Sequence, residues 1–313
     1  MRLARVPPAA RAIDRGFSVL EAIAAATTLT TRPAEPPTVL VGSLIEDVDG
    51  SDLEIVVVVD GPDPLVSMLA DAFDGKRIDV DLDGSHSPAA LADDRPGIAE
   101  ALESEGSTAV LFEDGEPTAA SSMATLYDSL LAINSDLFVT GARELGEIEL
   151  PDVLAGLADT RLRLRGYPLA HREKLLLILL SRYLEQSAFA IGVGTLRAAF
   201  QSLSRIDDEV GTRAVYERLE RTDVDVHLYG VDDGARPDLE ATTHLGDGPA
   251  YRDSWFVVFR PAGSDALDVD RSAVAAEGGA LVCREVEPRI WEGFFTFEPD
   301  RVAAIDDAIA TGL

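Results

Sequence analysis

The stretch Phe189-Ala-Ile-Gly-Val-Gly-Thr-Leu-Arg-Ala-Ala-Phe-Gln-Ser-Leu203 carries the most informative local pattern in the chain. Its apolar beginning is typical of a strand, and its second half has the period of an amphipathic helix. Gly192 and Gly194 stand at the junction, where glycine permits a sharp turn. On such a helix Arg197 and Gln201, four positions apart, share one face. The stretch therefore predicts a strand, a glycine turn and a helix.

The glycine pair invites comparison with the dinucleotide-binding fingerprint, which needs a third glycine three positions after the second. That position holds Arg197. No acidic residue closes a following strand at the distance that the fingerprint requires. The pattern favours a structural turn over a nucleotide site.

Composition narrows the class of protein. With 46% apolar residues in 313, the chain has ample material for a core, and it carries a net charge of −29. The acidic residues are spread along the chain, which favours a cytoplasmic protein of a high-salt cell over one with an acidic tail for a basic partner. Such a charge argues against nucleic acid or an anionic membrane as a direct partner. The single cysteine, Cys283, excludes an intrachain disulfide framework.

The order of predicted elements divides the chain into three parts. Residues 1–38, with a local excess of arginine, are predicted to be a weakly ordered extension, and an upstream extension of the true gene start is one interpretation of them. Residues 39–165 form an N-terminal α/β module, with a β-α-β unit followed by a hairpin that has an Asp-Gly turn. A leucine-rich helix over residues 169–187 opens the third part, residues 166–313.

The third part repeats the order of the second. Residues 223–230 alternate as a strand, and two apolar runs that follow predict a hairpin with a long acidic loop. We therefore predict an α/β fold of two related modules with mixed sheets, joined by the long helix. The broad apolar surface of that helix is expected to be buried between the modules or in a homodimer interface.

Three groups of residues are candidates for a ligand site. Arg197 and Gln201 could hold an anion, because arginine offers a planar fork of donors, although a salt-bridged or solvent-facing pair is the alternative. His227 shares a strand face with an acid and a tyrosine, which suits a ligand contact or a proton-sensitive element, or simply a hydrogen-bonded surface histidine. Trp255 and Trp291 belong to an aromatic final quarter of which one face is core and the other could line a pocket or a dimer surface. No spacing predicts a metal site, a catalytic nucleophile or a cofactor.

Five blocks in a fixed order resemble the DICT sensory domain, as it occurs in standalone proteins of salt-loving archaea. They are Ala-Ile-Gly-Val-Gly-Thr-Leu-Arg-Ala-Ala-Phe-Gln-Ser-Leu-Ser from Ala190, Asp-Val-Asp-Val-His-Leu-Tyr from Asp223, Asp-Ser-Trp-Phe-Val-Val-Phe from Asp253, Ala-Leu-Val-Cys-Arg-Glu from Ala280 and Gly-Phe-Phe-Thr-Phe-Glu-Pro from Gly293. The resemblance covers roughly residues 165–310. It implies a sensory or interaction role in signal transduction with no established catalytic chemistry.

These observations predict a cytoplasmic, non-catalytic sensory protein that binds a small molecule or a signalling protein. The alternative is a structural protein that forms a permanent homo-oligomer without a ligand, and an enzyme with an unrecognised site is a third hypothesis. The first hypothesis predicts an enclosed pocket near Trp255, Trp291 or Arg197, and the enzyme hypothesis predicts convergent polar groups in a pocket together with turnover.

Overall fold

The arrangement of strands and helices is described from a computed structural model. The described residues are 37–48, 52–59, 66, 78–81, 91, 95–132, 148–165, 173–208, 210–262, 278–288 and 290–313. Most of the predicted extension and of the predicted acidic loop lies outside them. The described residues belong to one compact unit, and the division at residues 165 and 166 remains a prediction.

Eleven strands and nine helices lie within the described residues. The strands are β1 (Leu53–Val58), β2 (Ile78–Asp81), β3 (Thr108–Glu113), β4 (Glu116–Ser122), β5 (Leu162–Arg165), β6 (Val193–Ser202), β7 (Asp223–Val231), β8 (Thr242–Gly246), β9 (Ser254–Pro261), β10 (Gly279–Glu287) and β11 (Ile290–Thr296). The helices are α1 (Pro37–Glu46), α2 (Pro96–Glu103), α3 (Met123–Ala132), α4 (Asp152–Ala155), α5 (Glu173–Ile191), α6 (Ser204–Asp208), α7 (Val210–Leu219), α8 (Pro249–Arg252) and α9 (Pro299–Gly312).

The strands form two mixed sheets, which confirms the predicted α/β class. The smaller has the order β2-β1-β3-β4, and the larger has the order β5-β11-β10-β9-β6-β7-β8. In the smaller sheet β1 is parallel to β2 and antiparallel to β3, which in turn is antiparallel to β4. The central strands β7-β6-β9-β10 repeat that order and those directions. The four-strand topology of the smaller sheet is therefore repeated within the larger sheet.

The predicted turn between the two strands of the first hairpin is present. Asp114 and Gly115 connect β3 to β4, and both have positive φ, at 51° and 82°. Two consecutive left-handed residues are the signature of the type I′ turn, whose twist matches that of the flanking strands. This local motif could be read from sequence because its backbone demand falls on two adjacent residues.

The prediction for the opening stretch was wrong in its order. The helix comes first, as α5 ends at Ile191, and the strand β6 follows from Val193. Gly192 ends the helix in the left-handed region at φ 73°, and its N–H donates to the carbonyl of Ala188. The period of the residues after the glycines predicted a helix. Their conformation is a strand instead, because they pair with β7 and β9.

Helix α5, the predicted leucine-rich helix displaced by four residues, lies in the middle of the main core. Its leucines pack against one face of the larger sheet and join that face to the inner face of the smaller sheet. Leu179 and Leu184 are almost fully buried. The broad apolar surface of this helix was expected to lie between the modules or in a homodimer interface. It is buried by other parts of the same chain.

Helix α1 was not predicted. Its residues Val41 and Ile45, with Val48 just beyond it, pack together with α9 on the other face of the larger sheet, against the alternate side chains of β9, β10 and β11. Both faces of that sheet are therefore covered. Within the described ranges, no helix is long and apolar enough to span a membrane.

Candidate ligand-binding site

A pocket of about 110 Å³ opens where β6 reaches its carboxyl end. The walls come from α5, β6, α6, α7 and β9, and the lining residues are Ile178, Ser181, Arg182, Glu185, Ala199, Phe200, Gln201, Arg205, Thr212, Trp255 and Val257. Strand β6 is parallel to β7 on one side and antiparallel to β9 on the other. Ligands of open α/β sheets bind at the carboxyl ends of strands, in such a place.

One wall of the pocket is a buried polar network on α5 and α7. The Arg182 guanidinium donates to Glu185 and to the Thr212 hydroxyl, and the Tyr216 hydroxyl donates to Glu185 Oε1 at 2.9 Å. The side chain of Glu185 is only 2% exposed. Burial, followed by the charge of Glu185, raises the pKa of Tyr216 well above its ordinary value, so the hydroxyl stays a donor. A buried network with paired charges holds its side chains in one arrangement.

Another lining residue of the pocket, Gln201, has a strained backbone. Its φ is 59°, and the pairing of β6 with β7 shifts register between Ala199 and Ser202. A bulge of this kind redirects a side chain from the plane of the sheet. Residues held in the left-handed region without being glycine cluster at functional sites. The bulge accounts for the place of Gln201 on the pocket wall.

The two tryptophans of the chain are neighbours, but only one of them lines the pocket. The Trp255 indole N–H donates to the Ser181 hydroxyl at 3.1 Å, and its ring meets that of Trp291 edge to face, with the centroids 5.8 Å apart. Trp291 itself is 5% exposed and packs in the main core. The structure thus brings Gln201 and Trp255 together, with Trp291 behind them.

Arg197 lies on the other face of β6 and does not share the pocket with Gln201. Its Nε donates to Asp306 Oδ1 on α9 at 2.6 Å, and its terminal nitrogen donates to the Tyr229 hydroxyl at 3.0 Å. The stretch is a strand and not a helix, and the bulge at Gln201 interrupts its alternation. The side chains of Arg197 and Gln201 therefore do not lie together, although they are four residues apart. Arg197 fits the alternative interpretation, that of a salt-bridged residue.

His227 lies neither in the pocket nor beside the Arg197–Asp306 pair, but near the edge of the larger sheet. Its Nδ1 lies 2.9 Å from Nε2 of His244 on β8, and its Nε2 lies 3.0 Å from Asp225 Oδ2. Asp225 and Tyr229 share its face as expected, and the Tyr229 ring stacks on His244 with the centroids 4.3 Å apart. His227 therefore fits the alternative interpretation of a hydrogen-bonded histidine, and among the described residues no contact joins it to the pocket.

The histidine pair predicts a pH dependence of stability. Burial, then the charges of His227 and Arg197, lower the pKa of His244 below its ordinary value of 6.5. Below pH 6.5 the unfolded chain binds a proton that the folded chain refuses, so the free energy of unfolding falls as pH falls toward the folded-state pKa. Above pH 6.5 the loss is absent.

Urea unfolding of the wild type and of His244→Gln between about pH 7.5 and 5.5 measures this effect, because this window contains the titration of an ordinary histidine. The wild type is expected to lose more stability than the variant. Carboxylates titrate in both proteins and cancel in the comparison. Equal losses would contradict the assignment of the effect to His244.

Sequence reasoning missed most of the pocket. The predicted site residues did not include Arg182, Glu185, Arg205 or Thr212. The spacing of Arg182 and Glu185, three apart on a helix, was the available signal. In the part of the chain that the structure describes, no group of three or more histidine, cysteine or acidic side chains is placed to hold a metal ion.

Comparison with known proteins adds little to this geometry. No family model matches the chain, and no curated protein matches it. Polyphosphate kinase from Porphyromonas gingivalis is a solved structure with 13% sequence identity and a TM-score of 0.28, matched over 88% of this chain and 48% of that one. The chain thus spans about half the length of that enzyme, and a likeness this weak carries no argument about fold or activity.

Proposed function

We propose that this chain is a cytoplasmic sensory protein of signal transduction that binds a small molecule in the pocket at the carboxyl end of β6, without transforming it. The observation that carries the proposal is the pocket itself. It combines an apolar part around Trp255 and Val257 with convergent polar groups from α5, β6 and α6. Small-molecule sites have this composition, with few polar groups that fix orientation.

The polar network supports binding rather than catalysis. Glu185, the pocket's carboxylate, receives hydrogen bonds from Arg182 and from Tyr216. Each oxygen of this carboxylate is therefore occupied by a protein donor, and the two hydrogen bonds hold it in the wall of the pocket.

Helix α5 supplies a physical route from the pocket to the rest of the molecule. It contributes Ile178, Ser181, Arg182 and Glu185 to the pocket, and its other side packs against the core beside α3 and the smaller sheet. A ligand that holds α5 and β6 in one relative position would stabilise one packing of the two sheets. Signalling needs that ligand to bind two states unequally.

The homo-oligomer alternative depended on two surfaces, and both are used within the chain. The leucines of α5 pack in the main core, and Phe256 and Val258 lie under α1 and α9. Among the described residues, Val59 is the large hydrophobic side chain with high exposure, at 41%. The proposal also includes a signalling protein as partner, a homodimer formed through another surface, and a high-salt cytoplasm.

A thermal-shift screen of metabolites at high salt tests the proposal. A ligand at a hundred times its Kd stabilises the folded state by about 2.7 kcal/mol. In a chain of this size that raises Tm by several degrees. Absence of any shift across a broad library, together with no small molecule retained in native mass spectrometry, would overturn it.

Fluorescence locates the site, because the chain has two tryptophans. In Trp291→Phe the remaining indole lines the pocket, and its emission is expected to change when a screened ligand binds. Trp255→Phe is the matched control, since Trp291 is buried behind the pocket. An equal response from both variants would place the ligand elsewhere.

A further inference from the structure

We propose that the pocket selects a small carboxylate with a compact apolar body, an aromatic ring or a branched chain. This inference rests on the proposed function, and it names the chemical class of the ligand. It follows from three features of the pocket lining: two polar side chains without a partner among the described residues, a net positive charge, and an apolar part of limited size.

The side chains of Gln201 and Arg205 both line the pocket, and neither makes a hydrogen bond or an ion pair with any residue that the structure describes. Arg182, by contrast, is held by Glu185 and Thr212. A guanidinium and an amide that line one pocket can each donate to an oxygen of the same carboxylate. They are the groups available to a ligand.

The charge of the lining distinguishes an anion from other ligands. The ionisable side chains of the lining are Arg182, Glu185 and Arg205, which sum to one positive charge. The chain as a whole carries −29. Glu185 pairs with Arg182, so the guanidinium of Arg205 is the charge of the lining that no described carboxylate pairs with. It favours an anion over a neutral or cationic ligand.

The size of the apolar part limits the body of the ligand. Ile178, Phe200, Trp255 and Val257 form it, within a space of about 110 Å³. An engineered protein cavity of about 150 Å³ holds benzene. The space here is about three quarters of that volume, so it sets an upper limit of about six carbon atoms on the enclosed body when the charged group remains at the mouth. A nucleotide or a peptide does not fit inside it.

Titration calorimetry of the intact chain with matched pairs of probes tests the inference. Benzoate, phenylacetate and isovalerate are compared with benzamide, phenylacetamide and isovaleramide, which have the same shapes without the charge. Each acid is expected to bind at least tenfold more tightly than its amide. The preference is expected to fall as KCl is raised, because the guanidinium at the mouth is exposed.

Two arginine variants separate the local charge from the overall charge. Arg205→Gln is expected to weaken the acids about tenfold, which is the loss of one hydrogen bond to a charged group, and to leave the amides unchanged. Arg221→Gln removes the same charge from an exposed turn outside the pocket, and its effect is expected to stay below twofold. Gln201→Ala is expected to weaken acids and amides alike.

The outcomes distinguish this inference from the proposed function. If amides bind as tightly as acids, or if Arg205→Gln leaves the acids unaffected, the inference is overturned and the sensory proposal stands. If none of the probes binds at millimolar concentration while another chemical class raises Tm, the inference again fails alone. If neither the probes nor the library binds, both proposals fail.

Discussion

Replacement of Asp306 by alanine is expected to destabilise the folded chain by about 3–5 kcal/mol, because it leaves the buried guanidinium of Arg197 without its counter-charge. The two side chains are 10% and 7% exposed, and Nε lies 2.6 Å from Oδ1. After the change Arg197 keeps only its hydrogen bond to the hydroxyl of Tyr229 among the contacts that the structure describes. Urea unfolding monitored by circular dichroism measures the loss.

Asp307, the next residue on α9, provides the control. Its side chain is 72% exposed and pairs with Arg260 at 2.9 Å. Exposed ion pairs contribute at most about 1 kcal/mol, so Asp307→Ala is expected to change stability by less than that. Similar losses for the two alanine variants would show that the buried pair is not the cause.

The double variant Arg197→Met with Asp306→Leu tests the physical reason. It removes both charges and restores apolar volume in a region where Val302 and Ile305 are already buried. Replacement of a whole buried ion pair by apolar residues is often neutral or stabilising. The double variant is therefore expected to recover most of the loss that Asp306→Ala causes.

Gly194→Ala is the second change with a large expected effect, about 3–5 kcal/mol, from a strained backbone and a steric conflict together. Gly194 has φ 137°, which side chains rarely allow. A Cβ atom there would meet the carbonyl oxygen of Arg260 and would lie 2.8 Å from Cα of Pro261. Both are backbone atoms of the paired strand β9, so they cannot move aside without breaking the ladder.

Gly192→Ala is the matched control, two positions away. Gly192 also has positive φ, at 73°, but the nearest atom to an added Cβ is the carbonyl oxygen of Phe189 at 3.8 Å. The cost is then conformational, about 1 kcal/mol. The midpoint of denaturant unfolding is expected to rank the proteins as wild type, Gly192→Ala and Gly194→Ala. An equal cost for the two changes would exclude the close approach of β9 as the reason.

The two glycines thus have different roles, and neither is a phosphate cradle in this fold. Gly192 ends α5, and Gly194 lets β6 approach β9. The missing third glycine had already favoured a structural turn. The part of the stretch that borders the pocket is its carboxyl-terminal end, at the bulge around Gln201.

Elements whose signal lies in adjacent residues were predictable from sequence. The alternation in β7, the leucine stripe of α5 and the Asp-Gly turn after β3 each follow from local apolar periods or from the φ values that a turn requires. The matching order of elements in the two modules also followed from the sequence, because it compares short patterns along the chain. Four adjacent strands of the larger sheet have the same order and directions as the four strands of the smaller sheet, which confirms it.

What only the tertiary structure decided is where distant segments meet. The local pattern around Leu196, Ala198 and Phe200 is compatible with a strand and with a helix. Pairing with β7 and β9 selects the strand. Arg197 pairs with Asp306, which lies more than a hundred residues later in the chain. The pocket is lined by residues from separate elements, among them Arg182, Gln201, Arg205 and Trp255 from four of these. Sequence by itself determined the local conformations through periodicity and turn chemistry. The site depended on long-range packing, which no local period records.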